Sequence, residues 1–123
     1  MQFEESRILD VLVVRVDESR IVADVAAQFK EGLTAYVTSG KSSVVLDLSQ
    51  VAFIDSSGLG ALIGSLKAMG AGRELALCSA RAGVISMLKL TRMDKVFRIF
   101  ATPEEAASSL SGRNGADSEA PQP

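Results

Sequence analysis

The segment Ser43-Val-Val-Leu-Asp-Leu48 limits the fold of this chain more than any other. Four of its six residues are Val or Leu. A strand that short and that apolar belongs inside a sheet covered on both faces, the usual setting of a parallel sheet flanked by helices. Helix-type patterns stand on both sides of it. Val22, Val25, Ala26, Phe29, Leu33, Tyr36 and Val37 recur at spacings of three and four and stop at Ser39-Gly40. Leu59, Leu62, Ile63, Leu66 and Met69 repeat the pattern and stop at Gly70-Ala-Gly72.

The rest of the chain extends the alternation. Phe3 to Ile8 and Val11 to Val16 read as strands joined by a turn at Leu9-Asp10. Glu74 to Cys78 reads as another strand. Val84, Ile85, Leu88 and Leu90 mark a short helix, and Val96 to Phe100 a last strand. Thr102-Pro103-Glu104-Glu105 then puts Thr at an N-cap, Pro at the first helical position and Glu at the third, which starts a helix running to about Leu110. The predicted fold is α/β: one domain over residues 1–111, with a mostly parallel or mixed sheet of about five strands and about four helices. Residues 112–123, GRNGADSEAPQP, contain no Val, Ile, Leu or aromatic side chain and are expected to form a disordered tail.

Composition removes several kinds of chemistry. The 123 residues include no His, no Trp and one Cys. Imidazole-based catalysis and His-containing metal sites are therefore excluded within one chain, as are thiolate clusters and intramolecular disulfides. Cys78 suits a reducing compartment. A net charge of −2 and six aromatic residues argue against nucleic-acid binding. The start, MQFEESRILD, is charged and does not read as a signal peptide. No apolar run approaches the ~20 residues of a membrane span. The expectation is a cytoplasmic protein that is not an enzyme and needs no cofactor or metal.

The most informative stretch is Val51-Ala-Phe-Ile-Asp-Ser-Ser-Gly-Leu-Gly60, which leads straight into the second helix. Asp55, Ser56 and Ser57 are all favourable N-cap residues. Gly58, Gly60 and Gly64 put three glycines in one helix, where each costs about 1 kcal/mol relative to Ala. Two readings are open. In one, Asp55 or Ser56 caps the helix and the glycines ease its packing on the sheet. In the other, bare backbone at Gly58 and Gly60 admits a partner, and a hydroxyl held at the helix N-terminus accepts a phosphate.

Phe53-Ile54-Asp55-Ser56-Ser57-Gly58-Leu59-Gly60 resembles the signature of the STAS-domain anti-sigma factor antagonists. Leu88-Lys-Leu-Thr91, Met93-Asp94-Lys-Val-Phe97 and the helix after Pro103-Glu104-Glu105 extend the resemblance over about residues 3–110. It implies a bacterial partner-switching regulator. The unphosphorylated protein would bind a serine-kinase anti-sigma factor of the GHKL type and free its client. Phosphorylation would release it, and a PP2C-type phosphatase would reset it. The residue that the resemblance makes the phosphoacceptor is Ser56, with Ser57 second. Asp55, Ser56, Ser57, Gly58, Leu59, Gly60 and Asp24 make up the implied partner surface. Many members carry an Asp just before the first helix. Val22 stands there in this chain, with Asp24 two residues on and Asp17 and Glu18 before it. The alternative is a STAS docking or scaffold module without phosphate cycling, as in a stressosome-like or transporter-regulating subunit.

Residues 81–98 hold Arg81, Lys89, Arg92, Lys95 and Arg98 against Asp94. They read either as a solvated face or as a surface for an anionic partner or lipid headgroups. Met69 is expected in the core, Met87 and Met93 in the core or a contact patch, and Cys78 as an inert buried thiol.

Overall fold

Val11–Val16 sends alternate side chains into two separate cores, and the molecule is organised around it. In the computed structural model, which describes residues 1–112, this strand is β2. It pairs antiparallel with β1, Phe3–Ile8, through the Leu9-Asp10 turn. On its other side it pairs in parallel with β4, Val44–Asp47. β6, Leu75–Cys78, and β7, Ile99–Phe100, complete a five-stranded mixed sheet in the order β1-β2-β4-β6-β7. The nearly continuous apolar run at 43–48 is thus an interior strand with parallel neighbours on both sides, and Val44, Val45 and Leu46 are fully buried.

Four helices cover the sheet unequally: α1 (Ala23–Thr38), α2 (Ser56–Ala68), α3 (Ala82–Leu90) and α4 (Pro103–Leu110). Leu12, Val14 and Val16 face the larger core, where Phe29 and Leu33 of α1, Leu59 and Leu62 of α2 and Val84 and Leu88 of α3 meet the sheet. Val11 and Val13 face the other way, with Val45, Ala76 and Cys78. Among the described residues, Ala106, Ala107 and Leu110 of α4 close that side, with Ile8 and Phe100 packed against it. Thr102 caps this short helix through its Oγ1, which accepts the Glu105 N–H at 3.1 Å. The Glu105 carboxylate reaches back to the Ala101 N–H at 3.1 Å, one residue before the N-cap.

The structure departs from the sequence reading at the ends of elements. Two residue pairs, β3 (Arg20–Ile21) and β5 (Phe53–Ile54), form a separate two-stranded parallel sheet that periodicity does not show, because two residues carry no period. The last strand is shorter than expected. Met93–Lys95 coil into a 3-10 turn, which leaves Val96 about half exposed and only Ile99 and Phe100 in the sheet. Leu90 is the last residue of α3 and is 80% exposed, so it is not part of that helix's core face. Met69 lies in the core; Met87 and Met93 pack against it, half-buried. Residues 113–123, nearly all of the stretch expected as a tail, lie outside the described residues.

Candidate functional site

β3 and β5 run side by side so that their C-terminal ends deliver the chain into α1 and α2 together. The Ile21 carbonyl accepts the Asp55 N–H at 3.2 Å, and the Ser19 carbonyl accepts the Ala52 N–H at 2.7 Å. This stitching sets two helix N-termini next to each other. Asp55 then serves both. Its Oδ1 accepts the Gly58 N–H at 3.0 Å, the N-cap bond of α2. Its Oδ2 accepts the Ala23 N–H at 3.2 Å, at the first residue of α1. The N-cap of α1 is Val22, which has no side-chain oxygen and makes no cap bond of its own. The carboxylate that Val22 lacks is supplied from across the fold. It sits near the positive ends of two helix dipoles, where negative charge is favoured.

Ser56 and Ser57 occupy the first and second positions of α2. Both are exposed, and among the described residues neither hydroxyl has a hydrogen-bond partner. Asp55 takes the N–H of the third position, so it caps the helix without covering either serine. The cap is Asp55, not Ser56, and the hydroxyl of Ser56 is left to solvent.

The glycines divide into two roles. Gly58 is buried. A Cβ there would collide with the Ile21 carbonyl and lie 2.7 Å from Ile54 Cγ1. Gly58 therefore exists for close packing of α2 on the β3–β5 pair, and the bare backbone expected there does not reach the surface. Leu59 is likewise a core residue, 4% exposed. Gly60 is the one that opens outward: it is exposed, and a Cβ on it would meet nothing within 4 Å. Gly64 lets the Lys30 stem lie across α2, 2.7 Å from its would-be Cβ. Thr34 and Ser65 join α1 to α2 by a hydroxyl bond of 3.1 Å.

Of the acids near Val22, Asp24 lies exposed in the first turn of α1, one residue from the Asp55 contact, and makes no ion pair among the described residues. Asp17 is committed elsewhere. Its hydrogen bond to the Arg15 guanidinium, 2.7 Å, holds its carboxyl below the usual carboxylate range. One surface feature escaped the sequence reading. Phe53 is 40% exposed, with the Arg20 guanidinium 5.1 Å from its ring centroid. The pair sits on the β3–β5 strands just ahead of Ser56. The available signal was an aromatic two residues before Asp55, but periodicity gives no face to a two-residue strand.

A shared cap at Asp55, with two free serines and an outward glycine behind it, stands at the start of α2, and among the described residues three helices back one face of the five-stranded sheet and one the other. A family model described as the STAS domain matches residues 3–106. The chain belongs to the STAS-domain family of anti-sigma factor antagonists. A Thermotoga maritima protein described as a candidate anti-sigma factor antagonist is 30% identical over 106 residues, which cover 85% of this chain and 94% of that protein. The Mycobacterium tuberculosis anti-sigma-F factor antagonist RsfB is 28% identical over 87 residues, 71% of each chain. A crystal structure of an anti-sigma factor antagonist from Mycobacterium paratuberculosis superposes with a TM-score of 0.79 at 25% identity, covering 89% of this chain and 92% of that one. No helix among the described residues is long and apolar enough to cross a membrane.

Proposed function

We propose that this STAS protein works by partner switching, with Ser56 as the phosphoacceptor. In its unphosphorylated form it binds a serine-kinase anti-sigma factor of the GHKL type and frees that factor's client. The kinase transfers the γ-phosphoryl group of ATP to Ser56 Oγ, and the phosphoprotein dissociates. A PP2C-type phosphatase hydrolyses the phosphoester and restores the binding form, and the cycle runs in the cytoplasm. The observation that carries this reading is the exposed, uncommitted Ser56 hydroxyl directly after a carboxylate that already caps the helix. The phosphate would join the N-terminal end of α2, whose dipole tolerates it, while standing beside Asp55 and Asp24. Those two acids repel the same charge, so the modified surface presents a partner with an altered field of about −1.5 to −2 added charges. The contact surface on this reading is Ser56, Ser57 and Gly60 with Asp24, widened by the Phe53–Arg20 pair, while Gly58 and Leu59 hold it from behind.

Intact-mass spectrometry after incubation with the cognate kinase and ATP tests the assignment. One added phosphate, absent in Ser56→Ala and retained in Ser57→Ala, is the expected result. Retention of the phosphate in Ser56→Ala would move the acceptor to Ser57 or elsewhere. No phosphorylation, with a stable complex indifferent to Ser56 substitution, would return the chain to the non-cycling docking class.

A further inference from the structure

The charged side chains of this acidic chain are segregated along the strand axis. β2, β4, β6 and β7 are mutually parallel, so their N-terminal ends share one pole with the C-termini of α1, α2 and α3. Hydrogen bonds tie the loops of that pole together: Arg73 donates to the Gly40 carbonyl, Arg7 Nη1 to Ser42 Oγ at 3.1 Å, and the Glu74 N–H to Ser43 Oγ at 3.0 Å. The pole carries Lys41, Lys67, Arg73, Lys89, Arg92 and Lys95. Its acids among the described residues are Asp10, Glu74 and Asp94, and Glu74 is already matched by Arg98 at 2.7 Å. The opposite pole, where Ser56 lies, holds Asp17, Glu18, Asp24, Asp47 and Asp55 among its acids, with Arg15, Arg20 and Arg81 as bases.

Helix dipoles account for Lys67 and Lys89, which sit in the last turns of α2 and α3. They do not account for Arg92 and Lys95, which lie beyond α3 and make no ion pair among the described residues. Arg92 also holds a left-handed backbone, φ 64°, in the position after the helix end where glycine is the usual occupant. Next to these cations in the chain come two exposed apolar residues, Leu90 after Lys89 at 80% exposure and Val96 after Lys95 at 49%.

We propose that this pole is a peripheral docking surface for an anionic lipid bilayer. Leu90 and Val96 enter the headgroup boundary, and Lys89, Arg92 and Lys95 meet lipid phosphates, with the cations of the α1 and α2 ends adding to the field. Leu90 decides between a bilayer and an acidic protein. It is the last residue of α3 and stands 80% exposed, and a bilayer accepts a projecting aliphatic side chain anywhere on its plane, whereas a protein must offer a matched pocket. Docking this way turns the Ser56 pole away from the membrane and leaves it open. The proposal is independent of whether Ser56 is phosphorylated.

Vesicle co-sedimentation of the full chain tests it, using equal parts phosphatidylglycerol and phosphatidylcholine against phosphatidylcholine alone. Binding should require phosphatidylglycerol and weaken as salt rises. Each basic side chain near an anionic surface raises partitioning about five-fold, so Arg92→Glu with Lys95→Glu should lower it by about 25-fold or more. Leu90→Ser should lower it by about ten-fold, and Ser56→Ala should leave it unchanged. Lys41→Glu with Lys67→Glu, on the other two helix ends, gives a second charge-reversed variant, and melting curves matching the parent establish that each variant is folded. No sedimentation with phosphatidylglycerol vesicles at low salt, or sedimentation indifferent to both charge-reversed pairs, would overturn the proposal. Retention on immobilised polyglutamate without vesicle binding would assign the surface to an acidic protein and overturn it equally.

Discussion

Asp55 and Ala23, 32 residues apart in the chain, are joined by a hydrogen bond of 3.2 Å from the Ala23 N–H to Asp55 Oδ2. The same carboxylate caps its own helix through Gly58 at 3.0 Å. One side chain thus fixes the relative placement of α1 and α2 at the end where the serines and Asp24 are displayed. Removing it should cost two helix ends at once. Asp55→Ala is expected to lower stability by about 2–3 kcal/mol, twice the usual cost of a single cap. Asp55→Asn keeps an acceptor for one end and should cost about 1 kcal/mol. Urea denaturation of the pair reads the difference; a cost near zero for Asp55→Asn would mean that the second of the two bonds contributes nothing.

Gly58 and Gly60 should respond to alanine in opposite directions. At Gly58 the new methyl collides with the Ile21 carbonyl and presses on Ile54. A loss of about 2 kcal/mol or more is expected despite the better helix former. At Gly60 the methyl enters open space, so stability should rise by about 0.5–1 kcal/mol. On the partner-switching reading, Gly60→Ala should still weaken binding to the kinase, because the methyl stands where the partner approaches. Calorimetric affinity measured beside thermal stability separates the two effects.

Val22 leaves the start of α1 without a cap from its own side chain. Val22→Ser should therefore raise stability by about 0.5–1 kcal/mol. Val22→Asp should gain less, because its carboxylate would share the site with that of Asp55 and the two repel. The ranking Ser above Asp, read from denaturation midpoints at low salt, tests whether Asp55 already does the work of the missing acid. Raising the salt should narrow the gap.

Cys78 reports on the thin side of the sheet. Burial is the largest influence on its thiol and pushes the pKa up to about 12. The thiol is neutral in the folded protein and ionises more easily once unfolded. Its contribution to stability is complete below the unfolded value of 9.0 and is lost as pH rises from there towards about 12. Denaturation midpoints should fall over that window, and Cys78→Ala should remove that part of the fall. Alkylation of native Cys78 at pH 8 should be slow. Thr102→Ala, which uncaps α4, should speed it about five-fold, since about 1 kcal/mol of helix stability sets how often α4 opens.

The alternation of strand and helix, the burial of Val44–Leu46, the Thr102 cap and the helix start at Asp55-Ser-Ser were all legible in the sequence. Each is a local property: periodicity, propensity and capping depend on residues within a turn or two of one another. The tertiary structure decided what depends on distant neighbours. It gave β3 and β5 each other as partners, turned Gly58 inward and Gly60 outward, and brought Asp55 to Ala23. It also left Leu90 outside the core at the end of α3 and gathered cations from three helix ends at one pole. None of these is written in a spacing, because a side chain's role there is set by which backbone it meets after the chain has crossed the sheet.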